Sequence, residues 1–387
     1  NAGVLSLALT DASGTADSMT VNLSADAQNK AVDHSLDGLT TTNVESLTLT
    51  SNGLSATKTQ ILDVLTGGTA LTSLTISGSS NLTITDHSAS NTKLATIDAS
   101  AFTGNLTLSD AATLAQTITS GAGNDSFVFG AAGKLTNADT VDGGGNTVLS
   151  TGVMGTDKLS GDVTGVTATT GALSVANVEN LNLTNTGTAL INAAGITGAT
   201  QIAVTGAAGI TTYSNLAEGA TLALGFTDQS GAAVTGTTTL ALADATATTN
   251  AVTVNLHEAT SNTLKATSVE TVNLAFSKTA AISEATTTLT VSALNAKTIK
   301  VTGADTDTST TLALGTLDTD TTTVDASGFK GVLTMAAGTA TAMTVSANGK
   351  LANTITTSTG SDTVTLAGNL GLSQQDISGG TGTLDVL

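Results

Sequence analysis

Short runs in which apolar residues alternate with Thr, Ser or Asn recur along the whole chain, and Gly, Ser, Asn, Asp and Ala stand between them. Side chains two apart on an extended backbone share a face, so each run reads as a strand bounded by turns. Val44-Glu45-Ser46-Leu47-Thr48-Leu49 is followed by Leu71-Thr72-Ser73-Leu74-Thr75-Ile76 and by Leu94-Ala95-Thr96-Ile97-Asp98-Ala99, which puts the central positions 47, 74 and 97 at spacings of 27 and 23. Val269/Val272/Leu274, Ala296/Ile299/Val301 and Thr321/Val324/Ala326 repeat this template at spacings of 27 and 25, and Val178/Leu181/Leu183 with Ala199/Ile202/Val204 carry it through the middle. A second alternation falls in between, at Leu82/Ile84, Leu106/Leu108, Leu312/Leu314 and Leu333/Met335.

Two or more short strands per period of about 25 residues is what a parallel β-solenoid requires, because each turn buries its apolar face only against neighbouring turns. The pattern therefore predicts an all-β fold: an elongated parallel β-solenoid of the β-helix or β-roll kind. An extended β-sandwich array also has evenly spaced strands, but the rung spacing favours the solenoid. Convincing long helices are missing, and with no Pro the turning falls to the 41 Gly.

A longer repeat overlies the short one. Leu7 to Asp11 returns as Leu240 to Asp244 and the run ending at Leu23 as that ending at Leu256, both 233 residues on. Ile97-Asp98-Ala99-Ser100-Ala101-Phe102 returns as Val324-Asp325-Ala326-Ser327-Gly328-Phe329, a shift of 227, and Asp125 aligns with Asp362 by motif, a shift of 237. Residues 1–150 thus read as one solenoid unit, 234–387 as its second copy, and 151–233 as an intermediate solenoid segment.

Composition narrows the chemistry. Apolar residues make up 40% of the chain but aromatics only 2%, so the core is one of small and β-branched side chains, suited to narrow flat rungs. The net charge is −19, and every basic residue is Lys. Such a surface cannot neutralise a phosphate track, which argues against nucleic acid, and it favours divalent cations and solubility. Cys is absent, as suits an exported protein. No apolar run approaches the roughly 18 residues of a membrane span, and the first residues lack the basic start of a signal peptide. Strand-like alternation at both ends reads as a section of a longer protein.

The candidate chemistry sits at glycine and aspartate turns. Gly121-Ala122-Gly123-Asn124-Asp125-Ser126-Phe127 fits G-G-x-G-x-D-x-U-x, the calcium-binding nonapeptide of RTX proteins, at Gly121, Gly123, Asp125 and Phe127, with Ser120 in place of the first glycine. Glycines permit tight turns, and calcium takes six to eight oxygens, which Asp carboxylates and carbonyls of adjacent turns can provide. Candidate partners are Asp139 and Asp142 with Gly143 and Gly144; the second copy offers Gly360, Asp362, Asp376, Gly380, Gly382 and Asp385. Gly155-Thr156-Asp157-Lys158-Leu159 is a further, weaker match. Ordinary Gly/Asp turns use the same residues without metal. Asp98 and Asp325 read as hydrogen-bonding to a following Ser. Glu45, Glu179 and Glu270, recurring in V-E-x-[LV]-[TN]-L, read as caps or backbone partners. His34, His87 and His257 have no metal-ligand spacing, and no nucleophile elbow or phosphate loop appears, so the chain is not expected to be an enzyme.

In the nonapeptide, in Ser268 to Leu274, Ala296 to Gly303 and Thr323 to Phe329, and in its acidic Thr/Ala/Gly-rich composition, the sequence resembles the Caulobacter-like RTX-type bacterial surface-layer (S-layer) proteins. The resemblance spans nearly the whole chain. It implies type I secretion, folding on extracellular calcium, and self-assembly into a two-dimensional lattice on the cell surface. It also implies that lipopolysaccharide is held by a region outside this chain, which would be an internal, lattice-forming section. An RTX adhesin or other secreted calcium-binding module that binds a glycan or host surface is the alternative.

Overall fold

The structure, a computed structural model, describes residues 3–11, 13–25, 28–87, 90–109, 114–146, 155–167, 171–205, 209–224, 235–244, 246, 248–256, 261–267, 269–276, 288–290, 295–303, 311–337, 342–348, 352–357, 361–367 and 375–379. They fall into two compact units, Asn1–Leu183 with Gly195–Thr200 and Thr184–Ala194 with Gln201–Leu387. Each unit is a β-solenoid of stacked parallel strands, and the only helical element among the described residues is a single 3-10 turn, Ala193–Gly195.

In the first unit one sheet stacks Ser18–Ser24, Ser46–Asn52, Ser73–Gly78, Thr96–Asp98, Thr117–Thr119, Thr140–Asp142, Ser174–Ala176 and Ile196–Thr197 in parallel. A second stacks His34–Leu36, Thr59–Thr66, Asn81–Asp86, Leu106–Ser109, Ser126–Val128 and Lys158–Asp162. The chain alternates between the two, one strand of each per turn. The template positions of the sequence are partners in register: Leu47 faces Leu74, then Ile97, Ile118, Val141 and Val175. None of these six is more than 1% exposed, and burial of each such side chain contributes about 1.5–3 kcal/mol. A small third sheet of Val4–Ala8, Gly38–Thr42 and the end of Thr59–Thr66 was not legible as a separate face.

The second unit repeats the plan. Val252, Val272, Ile299, Val324, Val345 and Val364 form one in-register column. The facing sheet runs from Thr188–Asn192 to Asp376–Ser378. Strand ends recur too. Gly78 and Gly303, 225 residues apart, have φ of 113° and 82°, and a Cβ on either would lie 2.1 Å from a carbonyl oxygen of the preceding turn, Ser51 or Phe276. Only glycine fits there. No helix among the described residues is long and apolar enough to cross a membrane.

A candidate metal centre

Where a strand begins, its backbone N–H needs an acceptor, which the following turn can provide. At three successive rungs of the first unit the residue just before a strand provides one. Asp125 precedes Ser126–Val128, Asp157 precedes Lys158–Asp162, and Glu179 precedes Asn180–Thr184. Leu106 N donates to Asp125 Oδ1 at 2.7 Å, Asp125 N to Asp157 Oδ1 at 2.6 Å, and Asp157 N to Glu179 Oε2 at 2.7 Å. The three acids form a ladder that climbs the solenoid one turn at a time.

Most of the remaining acid oxygens are also engaged. Ser120 Oγ donates to Asp125 Oδ2, which gives a role to the serine that replaces the first motif glycine. Asn146 Nδ2 donates to Glu179 Oε1 at 2.9 Å, and Asp142 Oδ1 accepts from Gly144 N at 3.0 Å and Asn177 Nδ2 at 2.8 Å. The exception is Asp157, which is fully buried and whose Oδ2 has no hydrogen-bond partner. That oxygen faces Gly143: a Cβ there would lie 2.6 Å from Asp157 Oδ2 and 2.2 Å from the Asn177 carbonyl oxygen.

An unpartnered carboxylate oxygen out of water disfavours its own charge. Burial, with the nearby carboxylates Asp125, Glu179 and Asp142 adding to it, pushes Asp157 up to about 7, against the Asp125 N–H bond that pulls it down. Burial also raises Asp125, in part offset by the bonds from Ser120 and Leu106.

The glycines act through space more than through dihedrals. Of Gly121, Gly123, Gly143 and Gly144, only Gly144 has positive φ, 76°. A Cβ on Gly121 would sit 1.8 Å from the Phe102 carbonyl oxygen, and one on Gly123 2.2 Å from that of Gly104. The turns pack too closely on the preceding rung for any side chain.

The other sequence-singled residues separate by role. Asp139 caps the first sheet: its Oδ1 accepts from Gln116 N at 2.8 Å, and its Oδ2 accepts from Thr136 N at 2.8 Å and Thr136 Oγ1 at 2.9 Å. In the second unit Asp362 Oδ1 accepts from Met343 N at 2.7 Å. Gln116 and Met343 each immediately precede a first-sheet strand, so the counterpart of Asp362 is Asp139, not Asp125 as motif alignment suggests. The counterpart of Asp125 is Asn353, whose Oδ1 accepts from Leu333 N at 2.9 Å. The next rung is Gln375, whose Oε1 accepts from Asn353 N at 3.3 Å. Asp376 is exposed and its N–H bonds the Asn353 carbonyl. Gly360, Gly380, Gly382 and Asp385 lie outside the described residues.

Asp98 and Asp325 accept from Ser100 N and from Ser327 N and Oγ, as the sequence suggests. Glu45 Oε2 accepts from Asp17 N at 2.8 Å, the same capping bond that Glu179 makes. Glu270 differs: its N–H bonds Asn250 Oδ1, and its Oε2 is buried without a partner. In the sequence, Asp157 and Glu179 are marked only by the weak G-x-D-x-L match and the recurring V-E.

Among the described residues no group of three or more His, Cys, Asp or Glu side chains is gathered closely enough to hold a metal ion by itself. The donors around Asp157 are nonetheless all hard oxygens, the type calcium selects, and carbonyls and solvent would have to complete a shell of six to eight. No protein-family model, curated protein or solved structure matches the chain.

Proposed function

We propose that the chain is a secreted structural protein of a bacterial cell surface, which folds on meeting calcium and assembles with copies of itself into a two-dimensional layer. The observation that carries the calcium half of this reading is the carboxylate ladder of the first unit, with the buried Asp157 Oδ2 left without a partner. Asp157, Asp142 and the Asn177 carbonyl would hold the ion, and Asp125 and Glu179 fix the Asp157 backbone and side chain in place. Bound there, calcium supplies the positive charge that lets neighbouring carboxylates stay ionised out of water. Folding would then be linked to metal, and chains in a calcium-poor compartment would stay secretable.

The assembly half rests on the resemblance to surface-layer proteins, with the anchor to lipopolysaccharide outside this chain.

A calcium titration against a chelator control, followed by circular dichroism and light scattering, tests both halves. Gain of β-structure followed by growth into sheets visible by electron microscopy is expected. Structure without assembly would move the reading to an adhesin, to be probed with glycan arrays. Full β-structure in chelator, unchanged by calcium, would sink the metal mechanism.

A further inference from the structure

The ladders of the two units do the same capping work with different chemistry. Leu106 and Leu333 are equivalent positions, 227 residues apart like the shared I-D-A-S and V-D-A-S runs, and both give their backbone N–H to the residue that opens the next rung. In the first unit the acceptors are carboxylates, Asp125 and then Asp157; in the second they are neutral amides, Asn353 and then Gln375. An amide oxygen therefore suffices as a cap. The negative charge on the first ladder exceeds what capping requires, and it is concentrated where Asp157 Oδ2 is buried and unpartnered beside the Asn177 carbonyl. Carboxylates crowded out of water repel one another unless a cation or proton joins them. Asn353 and Gln375 carry no such penalty.

From this contrast we infer that calcium acts on one ladder and not on the other: Asp157 is the centre through which the first unit responds to the ion, while the Asn353–Gln375 ladder of the second unit holds without it. The inference rests on the calcium reading above and narrows it. The Asn353–Gln375 ladder becomes a metal-independent stretch of the second unit, and the Asp125–Asp157 ladder is the part of the first that the ion switches.

Hydrogen–deuterium exchange on the full chain, in chelator and in calcium chloride at constant ionic strength, separates the possibilities. Peptides covering Leu106, Asp125 and Asp157 should exchange at least about tenfold more slowly with calcium, and those covering Leu333 and Asn353 should change by less than about twofold. Equal slowing of both ladders would overturn the inference and leave the calcium reading standing. No change in either would overturn both. In Asp157→Asn the amide can donate toward the Asn177 carbonyl while keeping the cap to Asp125 N. The first-unit peptides of this variant should be as protected in chelator as calcium-loaded wild type, with no further response. A full calcium response in Asp157→Asn would also overturn the inference, and the wild-type comparison decides the matter if that variant does not fold.

Discussion

The first unit places buried acids where the second places amides, on strands that otherwise stack, pair and pack alike. Asp125 and Asn353 accept equivalent backbone N–H groups at 2.7 and 2.9 Å, so the hydrogen-bond requirement of a solenoid turn is indifferent to charge. What charge adds is conditionality. A neutral cap is stabilising at any pH and in any ionic medium, whereas a buried carboxylate depends on what neutralises it. The lesson is that one repeat template can carry a permanent cap in one place and a switchable one in another.

The most severe test of the first ladder is steric. Gly143→Ala would drive a methyl to within 2.6 Å of Asp157 Oδ2 and 2.2 Å of the Asn177 carbonyl. It should destabilise the first unit by about 3 kcal/mol or more, seen as a lowered urea midpoint by circular dichroism. It should also abolish any calcium response. Gly328→Ala in the second unit, where the nearest atom to a new Cβ is 3.6 Å away, should be almost silent in the same assay. Equal effects would mean that the close approach at Gly143 is not a constraint.

Removing the caps comes next. Asp125→Ala and Asn353→Ala each leave a backbone N–H of the preceding rung without its acceptor, and each should cost about 1–3 kcal/mol in urea unfolding. Similar losses would support a shared capping role. A near-zero loss for Asn353→Ala would break the equivalence between the ladders.

The pH dependence distinguishes them without mutation. Asp157 lies at about 7 in the folded chain against its ordinary 3.8, so between these values the folded state holds a proton that the unfolded state has released. Stability from this group is therefore present at the acid end of that window and lost as pH rises through 7. In chelator, the first unit should melt several degrees higher at mildly acidic than at mildly alkaline pH, and Asp157→Asn should flatten the slope. Below the window the direction reverses. Asp98 and Asp325, held below their ordinary value chiefly by hydrogen bonds from the Ser100 and Ser327 side chains, lose that contribution when protonated. A flat melting profile for wild type in chelator would remove the argument that Asp157 is uncomfortable as an anion.

The smallest effect is expected from giving the second ladder a charge. Gln375 is only half-buried, so Gln375→Glu should cost less than about 1 kcal/mol at neutral pH because solvent screens much of the added charge. Differential scanning calorimetry at two pH values would detect the new slope. Its absence would show that half-exposed rungs cannot be made switchable by charge alone.

The sequence by itself determined the class of fold. Leu47, Leu74 and Ile97 recur at nearly constant spacing because each must stack on the next, and an alternating pattern with that period has few other ways to bury its apolar face. It also marked the Gly/Asp turns and the recurrent glutamates as special. It did not determine which acid does what. An acceptor is wanted before many strands, so similar turn motifs recur at successive rungs, and motif matching cannot tell Asp125 from Asp139 as the partner of Asp362. Nor can it see that Asn353 and Gln375 belong with Asp125 and Asp157, because an amide in a Thr/Asn-rich chain carries no signal. Only the stacking of one turn on another decides which side-chain oxygen meets which backbone N–H, and which oxygens, Asp157 Oδ2 among them, are buried with none. Those are contacts between residues 19 to 32 positions apart, set by rung register and by glycines that let the turns close to within touching distance.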